Sequence, residues 1–374
     1  MKPTLLDITE TFLNSQKIDT TVMRFADDAG VIIADEDFSL VNTYVILERP
    51  FQPDELAPVL QFLERKKLDA ARTELLIPDK VAGDSRQLTA TVRGHVRRPV
   101  GISSFLDEHL RPRSICADLT TERDDDSTGE SALLSERDFV DQWADIENLG
   151  RVSAIKHLFN GWAKGNSPRL CFALAPAGHG KSKVTHILAK RLASYYQQFL
   201  EAPTGDAPPP LPILIAFGKY RRISFTSLVL EALNRFGSVR LTMEAFQYLV
   251  SLGRVLFILD GYDEMMETSP DTGRDNVAEF IRQSGPDSRI LLTSRSVFYR
   301  TATDVVGQVG DPLLSETDIQ IMELQPFDRA QARRYLALRL GALGSHDRSM
   351  ERAQSILEGE DALTILVRQP GFVM

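Results

Sequence analysis

Arg169-Leu-Cys-Phe-Ala-Leu-Ala175, continued by Pro176-Ala177-Gly178-His179-Gly180-Lys181-Ser182-Lys183, decides how the rest of this 374-residue chain is read. The apolar run up to Ala175 predicts a buried strand. Val184, Ile187, Leu188 and Leu192 then recur at helical spacing. What joins strand to helix reads as a phosphate-binding loop, because glycines let backbone N–H groups turn inward around a polyphosphate with no Cβ in the way. The helix beginning near Gly180 aims its unpaired N–H groups and positive dipole end at the same anion. Lys181 can add a point charge at the β- and γ-phosphates, and the Ser182 hydroxyl can hold Mg²⁺. The pattern G-x-x-x-x-G-K-[ST] asks for Gly at position 175, where this chain has Ala. The last four positions carry most of the chemistry. The competing reading is an ordinary glycine-containing turn, and the strand–loop–helix context favours the phosphate loop.

Further on, Arg254-Val-Leu-Phe-Ile-Leu-Asp260 is a continuous apolar run ending in a carboxylate, the pattern of a strand buried on both faces. Asp260 falls where an open α/β sheet binds its ligand and is, with Ser182, a candidate for holding Mg²⁺. In the following Gly261-Tyr262-Asp263-Glu264, Glu264 can orient the attacking water or accept its proton, and Asp263 can join the metal shell or orient Glu264. The plain alternative for each acid is a solvated loop carboxylate, which a fully apolar strand directly before them weakens. Ser288-Arg-Ile-Leu-Leu-Thr293-Ser294-Arg295 is a third short buried strand, tipped by hydroxyls and an arginine. Thr293 is a nucleotide-contact candidate. Arg295 by itself reads as a surface arginine, but after the two preceding motifs it reads as a sensor of the γ-phosphate.

Ala177-Gly-His-Gly-Lys-Ser182, Phe257-Ile-Leu-Asp-Gly-Tyr-Asp-Glu264 and Ile290-Leu-Leu-Thr-Ser-Arg295 together resemble the NACHT branch of the STAND class of P-loop NTPases. Gly261 after the first acid and the D-x-x-D-E spacing are the most characteristic parts, and the resemblance covers roughly 151–374. It implies binding of ATP or ADP with Mg²⁺, slow hydrolysis, and catalytic roles for Glu264, Lys181, Asp263 and Arg295. It also implies an ADP-held closed monomer. Exchange for ATP then permits self-association that activates an attached effector, in immune-type signalling such as antiphage defence or in regulated transcription. In sheet order, the resemblance places the sensor strand between the strands of the other two motifs.

The surrounding pattern agrees. Residues 211–217 predict a further strand and 318–324 a fifth, with helices over 224–235, 243–252 and 275–283. Alternating strands and helices predict a P-loop-type three-layer α/β sandwich over 138–325. After Pro326-Phe327 the pattern turns helical over 330–340, 348–358 and 362–367, a small lid spanning 326–374. The lid ends in Arg368-Gln-Pro370-Gly-Phe372, similar to the family's proline motif, whose proline packs near the adenine. Pro370 is thus a nucleotide-contact candidate, the alternative being a helix-terminating proline. STAND proteins continue into a winged-helix domain and a repeat sensor. Neither is present, nor is an internal repeat of about 20–50 residues. The expectation is a fragment whose activating ligand is sensed by a region outside this chain.

Residues 1–117 read as a small mixed α+β effector or interaction domain of unassigned type. Val31-Ile-Ile33 and Tyr44-Val-Ile-Leu47 predict strands, and 57–72, with Leu60, Phe62 and Leu63, a helix. Asp35, Glu36, Asp37, Glu48 and Glu64-Arg-Lys66 raise a metal-dependent nuclease. Acidic clusters at strand ends are mostly solvated, however, and E-x-K on a helix surface is commonplace, so the interaction module is preferred. Arg93, His95, Arg97 and Arg98 could touch nucleic acid but lack interleaved aromatics, so nucleic acid is a possible partner without being indicated. Residues 118–137 are polar and charged, a linker, and helices are predicted over 139–143 and 155–159.

A net charge of −9 and a pI near 5.3 argue against global attraction to nucleic acid or anionic membrane. Two cysteines are too few for a disulfide framework. No apolar run approaches the roughly 18 residues of a membrane span, and no signal-peptide core is evident, so the sequence predicts a cytoplasmic protein. Two other readings remain open on these residues. One is an AAA-type remodelling ATPase with an arginine finger from Arg221 or Arg222. The other is a nucleotide-gated scaffold with negligible turnover.

Overall fold

Thr4 and Asp7 cap each other and start the first helix, Leu5–Ser15. In the computed structural model, Asp7 N donates to Thr4 Oγ1 and Thr4 N to Asp7 Oδ2, both at 3.1 Å. The structure describes residues 3–26, 29–37, 40–48, 57–79, 94–97, 99–121, 139–163, 168–201, 209–216, 241–264, 270–284, 288–296, 301–309 and 314–342. The chain forms two units. One comprises Met1–Arg113, Tyr196–Pro208 and Phe236–Arg254; the other comprises Ser114–Tyr195, Pro209–Arg235 and Val255–Met374.

The first unit is built on a five-stranded sheet of β1 (Asp19–Ala26), β2 (Ala29–Asp37), β3 (Leu40–Leu47), β4 (Thr73–Ile77) and β5 (Pro99–Gly101), in that order. The first three form an antiparallel meander, and β4 and β5 join in parallel. A parallel step needs a crossover, and the helix Ala57–Lys66 lies in the connection from β3 to β4. Val31, Val45 and Leu75 pack with Val59, Phe62 and Leu63 of that helix. The helix expected over 57–72 stops at Lys66, because Lys67 turns left-handed at φ 52°, and Ala70–Arg72 form a separate short turn capped by Asp69.

Glu48 has a structural place: its Oε1 accepts from Leu5 N and Leu6 N at the start of the first helix. Asp35 is exposed, and the Glu36 and Asp37 side chains lie outside the described set, as do Arg93 and Arg98. Among the described residues no three His, Cys, Asp or Glu side chains group to hold a metal ion. Deep in this unit, Asp107 of the helix Ile102–Glu108 receives Arg254 Nε on Oδ1 at 2.9 Å, and Arg254 Nη2 and the Tyr196 hydroxyl on Oδ2.

The second unit carries β6 (Trp143–Ile146), β7 (Gly150–Ser153), β8 (Leu170–Leu174), β9 (Leu211–Ala216), β10 (Val255–Asp260), β11 (Arg289–Ser294) and β12 (Ile319–Leu324). They form one sheet in the order β7-β6-β12-β8-β11-β10-β9. The five strands from β12 to β9 are all parallel, and β6 and β7 add an antiparallel hairpin at one side. Strand β11 therefore lies between β8 and β10, the order the resemblance implies for the strand carrying Thr293 and Arg295. Leu256, Ile258 and Leu291 pack with Ile155 and Leu158 of the helix Ala154–Ala163 and with Val184 and Ile187 of the helix Lys181–Glu201. Phe257 points to the opposite face, since strand side chains alternate. There it meets Phe280 of the helix Pro270–Gln283 edge-on at 4.9 Å. Helices thus cover both faces, the three-layer arrangement expected.

Residues 139–143 are not helical. Phe139–Gln142 are irregular and Trp143 opens β6, whose Ala144 and Ile146 are buried while Asp145 faces out. Positive φ at Asn148 and Gly150, 68° and 72°, closes the hairpin to β7. The expected linker begins inside the helix Pro112–Thr120 and otherwise lies outside the described residues, apart from Thr121. In the segment expected to form a lid, Asp328 caps the helix Arg329–Ala342, with Gln331 N donating to its Oδ1 at 2.8 Å and Asp328 N to Gln331 Oε1 at 3.0 Å. Phe327, Ala332 and Tyr335 pack there with Val140. The helices expected over 224–235, 348–358 and 362–367 lie outside the described residues, as do Pro370, Arg221 and Arg222. No helix among the described residues is long and apolar enough to cross a membrane.

Candidate nucleotide-binding site

Gly178 and Gly180 have φ of 76° and 79°, a left-handed backbone that side-chain-bearing residues rarely adopt, so the loop needs glycine at both. Ala175 takes no such conformation, which is why alanine serves where the motif asks for glycine. Its N–H donates to Ser294 O at 3.1 Å, tying the loop's entry to the tip of β11. Buried Gln142 spans two segments, with Nε2 donating to His179 O at 2.9 Å and to Gln325 O at 3.1 Å. His179 Nδ1 lies 3.1 Å from Ala177 O. Lys181 opens the helix that follows, with half-buried Ser182 and Lys183 on its first turn. Gln142 was not a sequence candidate. A lone glutamine carries no local signal, and its position depends on β6 being a strand.

Parallel pairing of β10 with β11 sets Leu259 opposite Leu292, and it brings the next residues, Asp260 and Thr293, together. Thr293 Oγ1 donates to Asp260 Oδ1 at 2.7 Å and accepts from Gly261 N at 2.9 Å, all buried. Gly261 has φ 82°, which gives the small residue after the first acid a conformational reason. Thr293, a nucleotide-contact candidate by sequence, here spends its hydroxyl on the neighbouring strand.

Asp263 is buried beside two cations, with Oδ2 2.9 Å from Arg295 Nε and 3.8 Å from Lys181 Nζ. Lys181 Nζ donates to Ala175 O at 3.0 Å and Pro176 O at 3.3 Å. Burial holds its ammonium below the usual lysine range; Asp263 pulls the other way and Arg295 adds to the lowering. Glu264 is exposed, its N–H donating to Gly261 O at 3.1 Å. Lys181, Asp260, Asp263, Thr293 and Arg295 thus meet around the carboxyl ends of β8, β10 and β11, where open parallel sheets bind ligands. The hydroxyl of Ser182 and the carboxylate of Asp260 are hard oxygen donors suited to Mg²⁺. This ion commonly takes one or two protein oxygens and completes its shell with substrate phosphate and water.

No protein-family model matches the sequence, and no curated relative matches it. Solved structures resemble it in part. Domain III of the replication initiation protein DnaA from Thermotoga maritima is 11% identical over 57% of this chain and 78% of that one, with a TM-score of 0.34. A Walker-type ATPase of Pyrococcus abyssi is 16% identical over 57% and 65%, at 0.35. PCH-2 of C. elegans is 15% identical over 51% and 47%, at 0.29. The assignment itself rests on this chain: its strand order, the left-handed glycines of its loop and the acid at the tip of β10 define a P-loop NTPase fold.

Proposed function

We propose that the chain binds ATP and ADP with Mg²⁺ and works as a slow nucleotide-driven switch of the NACHT kind. The observation supporting this most is the meeting of Lys181, Asp260, Asp263 and Arg295 at the carboxyl end of a parallel sheet in which β11 runs between the other two motif strands. In this reading, the backbone N–H groups of 177–183 and the Lys181 ammonium hold the phosphates. Ser182 and Asp260 would hold Mg²⁺, which would supply charge neutralisation to the bound phosphates. Thr293 keeps Asp260 aimed. Glu264 orients the attacking water and takes its proton. Arg295 reads the γ-phosphate. ATP binding drives self-association and activates residues 1–117, in response to an activating ligand. Antiphage defence is the setting the reading suggests.

The test is Mg²⁺-dependent ATP turnover of the wild type, Lys181→Ala and Glu264→Ala, with solution mass measured under ADP and under a non-hydrolysable ATP analogue. Lys181→Ala is expected to lose both binding and turnover. Glu264→Ala keeps binding and loses turnover by about 10²-fold or more, the usual contribution of a general base. The ATP analogue alone yields the larger assembly. A wild type without turnover overturns the enzyme reading, and equal masses under both nucleotides overturn the switch.

A further inference from the structure

Asp263 is bound by charge rather than by a full set of hydrogen bonds. One carboxylate oxygen faces both cations, Arg295 at 2.9 Å and Lys181 at 3.8 Å. The other, Oδ1, is buried without a hydrogen-bond partner among the described residues. Asp260 differs, since Thr293 holds it. Between the two acids stand Gly261, left-handed at φ 82°, and buried Tyr262, so the chain turns between the anchored acid and the one held by cations through a conformation that glycine alone adopts readily.

We propose that Asp263 is a built-in stand-in for the γ-phosphate, a gate that ATP opens and ADP leaves shut. The proposal rests on reading the loop as a nucleotide site. Lys181 and Arg295 are the two cations that reading assigns to the polyphosphate, and the Asp263 carboxylate already offsets part of their charge. A γ-phosphate brings more charge and three acceptor oxygens, which a guanidinium matches better than a carboxylate using one oxygen. The pair is poor enough to exchange, because a buried oxygen with no donor is costly to keep. ADP has no group to compete for Arg295, so Asp263 retains it. Departure of the γ-phosphate after hydrolysis lets the carboxylate return, which resets the site without any other part moving.

Mg-ATP and Mg-ADP affinities of the full chain, compared between wild type and Asp263→Asn, test the gate. Asparagine keeps the shape and removes the competing charge. ATP affinity is expected to rise by about tenfold more than ADP affinity, within the usual range for coupled equilibria. With Arg295→Gln also present, that ATP-selective gain shrinks. Equal changes for both nucleotides, or a selective loss of ATP affinity, overturn the gate. Amide exchange of the wild type over 261–264 provides a second measurement that needs no folded variant. ADP should leave this segment as in the free protein, and ATP should change it; the same response to both overturns the proposal. If the wild type binds neither nucleotide, the reading of the site fails along with the gate. Binding of both without selectivity at Asp263 sinks the gate alone.

Discussion

Thr293 Oγ1 donates to Asp260 Oδ1 at 2.7 Å while accepting from Gly261 N at 2.9 Å, so one hydroxyl on β11 fixes the acid at the tip of β10. Thr293→Val keeps the shape and removes both bonds. A buried carboxylate oxygen and a buried N–H then lack partners, at a cost of about 1–3 kcal/mol. Thermal melting should fall, and nucleotide binding should need more Mg²⁺. Thr293→Ser restores both, and an unchanged Mg²⁺ requirement in the valine variant counts against a positioning role.

Gln142 bridges His179 O and Gln325 O from outside the motif. Each neutral bond is worth about 0.5–1.5 kcal/mol net, so Gln142→Ala should loosen the loop and raise the nucleotide Kd by about three- to tenfold. Titration calorimetry reads this directly. Amide exchange in β8 and β10 should stay as in the wild type, which separates loop placement from a general loss of fold.

Lys181 carries a pH dependence. Burial places its proton loss below the usual lysine value of 10.5, and a bound polyphosphate stabilises the charged form. Binding therefore takes up protons. Affinity is full below the lowered value, falls as pH rises through it, and stops falling beyond the range where the bound form also deprotonates. Stability of the free protein runs the other way in that window: the unfolded chain binds more protons there, so stability rises with pH. Kd against pH, and binding heats in buffers of different ionisation enthalpy, check the sign. Lys181→Arg should flatten the profile.

Asp107, buried in the first unit, takes two bonds from Arg254 and one from Tyr196. Asp107→Ala strands a buried guanidinium, and urea unfolding should show a loss of about 3–5 kcal/mol. Tyr196→Phe removes one bond and should cost far less.

β8, β10 and β11 were legible because strands buried on both faces read as unbroken apolar runs, and their tips carry the chemistry. Cys171 inside β8 is buried as expected, its thiol pushed up to about 12. The strand order was not legible from the residues themselves, since Leu292 pairs with Phe172 on one side and Leu259 on the other. Only the family resemblance implied it. β1, polar as Asp19-Thr-Thr-Val-Met-Arg-Phe-Ala26, is an edge strand with partly exposed side chains, so it lacked a clear alternation. The first helix begins at a capping box of Thr4 and Asp7, a four-residue signal too short to stand out by hydrophobic period. The segment 139–143, expected as a helix, is irregular up to Gln142 and opens β6 at Trp143, because five mixed apolar and polar residues fit either period. The spacing of Asp263 after Asp260 is visible in the sequence, but sequence cannot show that its nearest charged partners are Arg295 and Lys181.

Binding of Mg-ATP to this chain and to its Lys181→Ala variant, by calorimetry with melting curves alongside, tests the central claim most directly. The account predicts saturable one-to-one binding in the wild type that depends on Mg²⁺. In the variant, binding is lost while the melting curve without nucleotide is retained. A wild type that binds no nucleotide, or a variant that binds as tightly as the wild type, contradicts it.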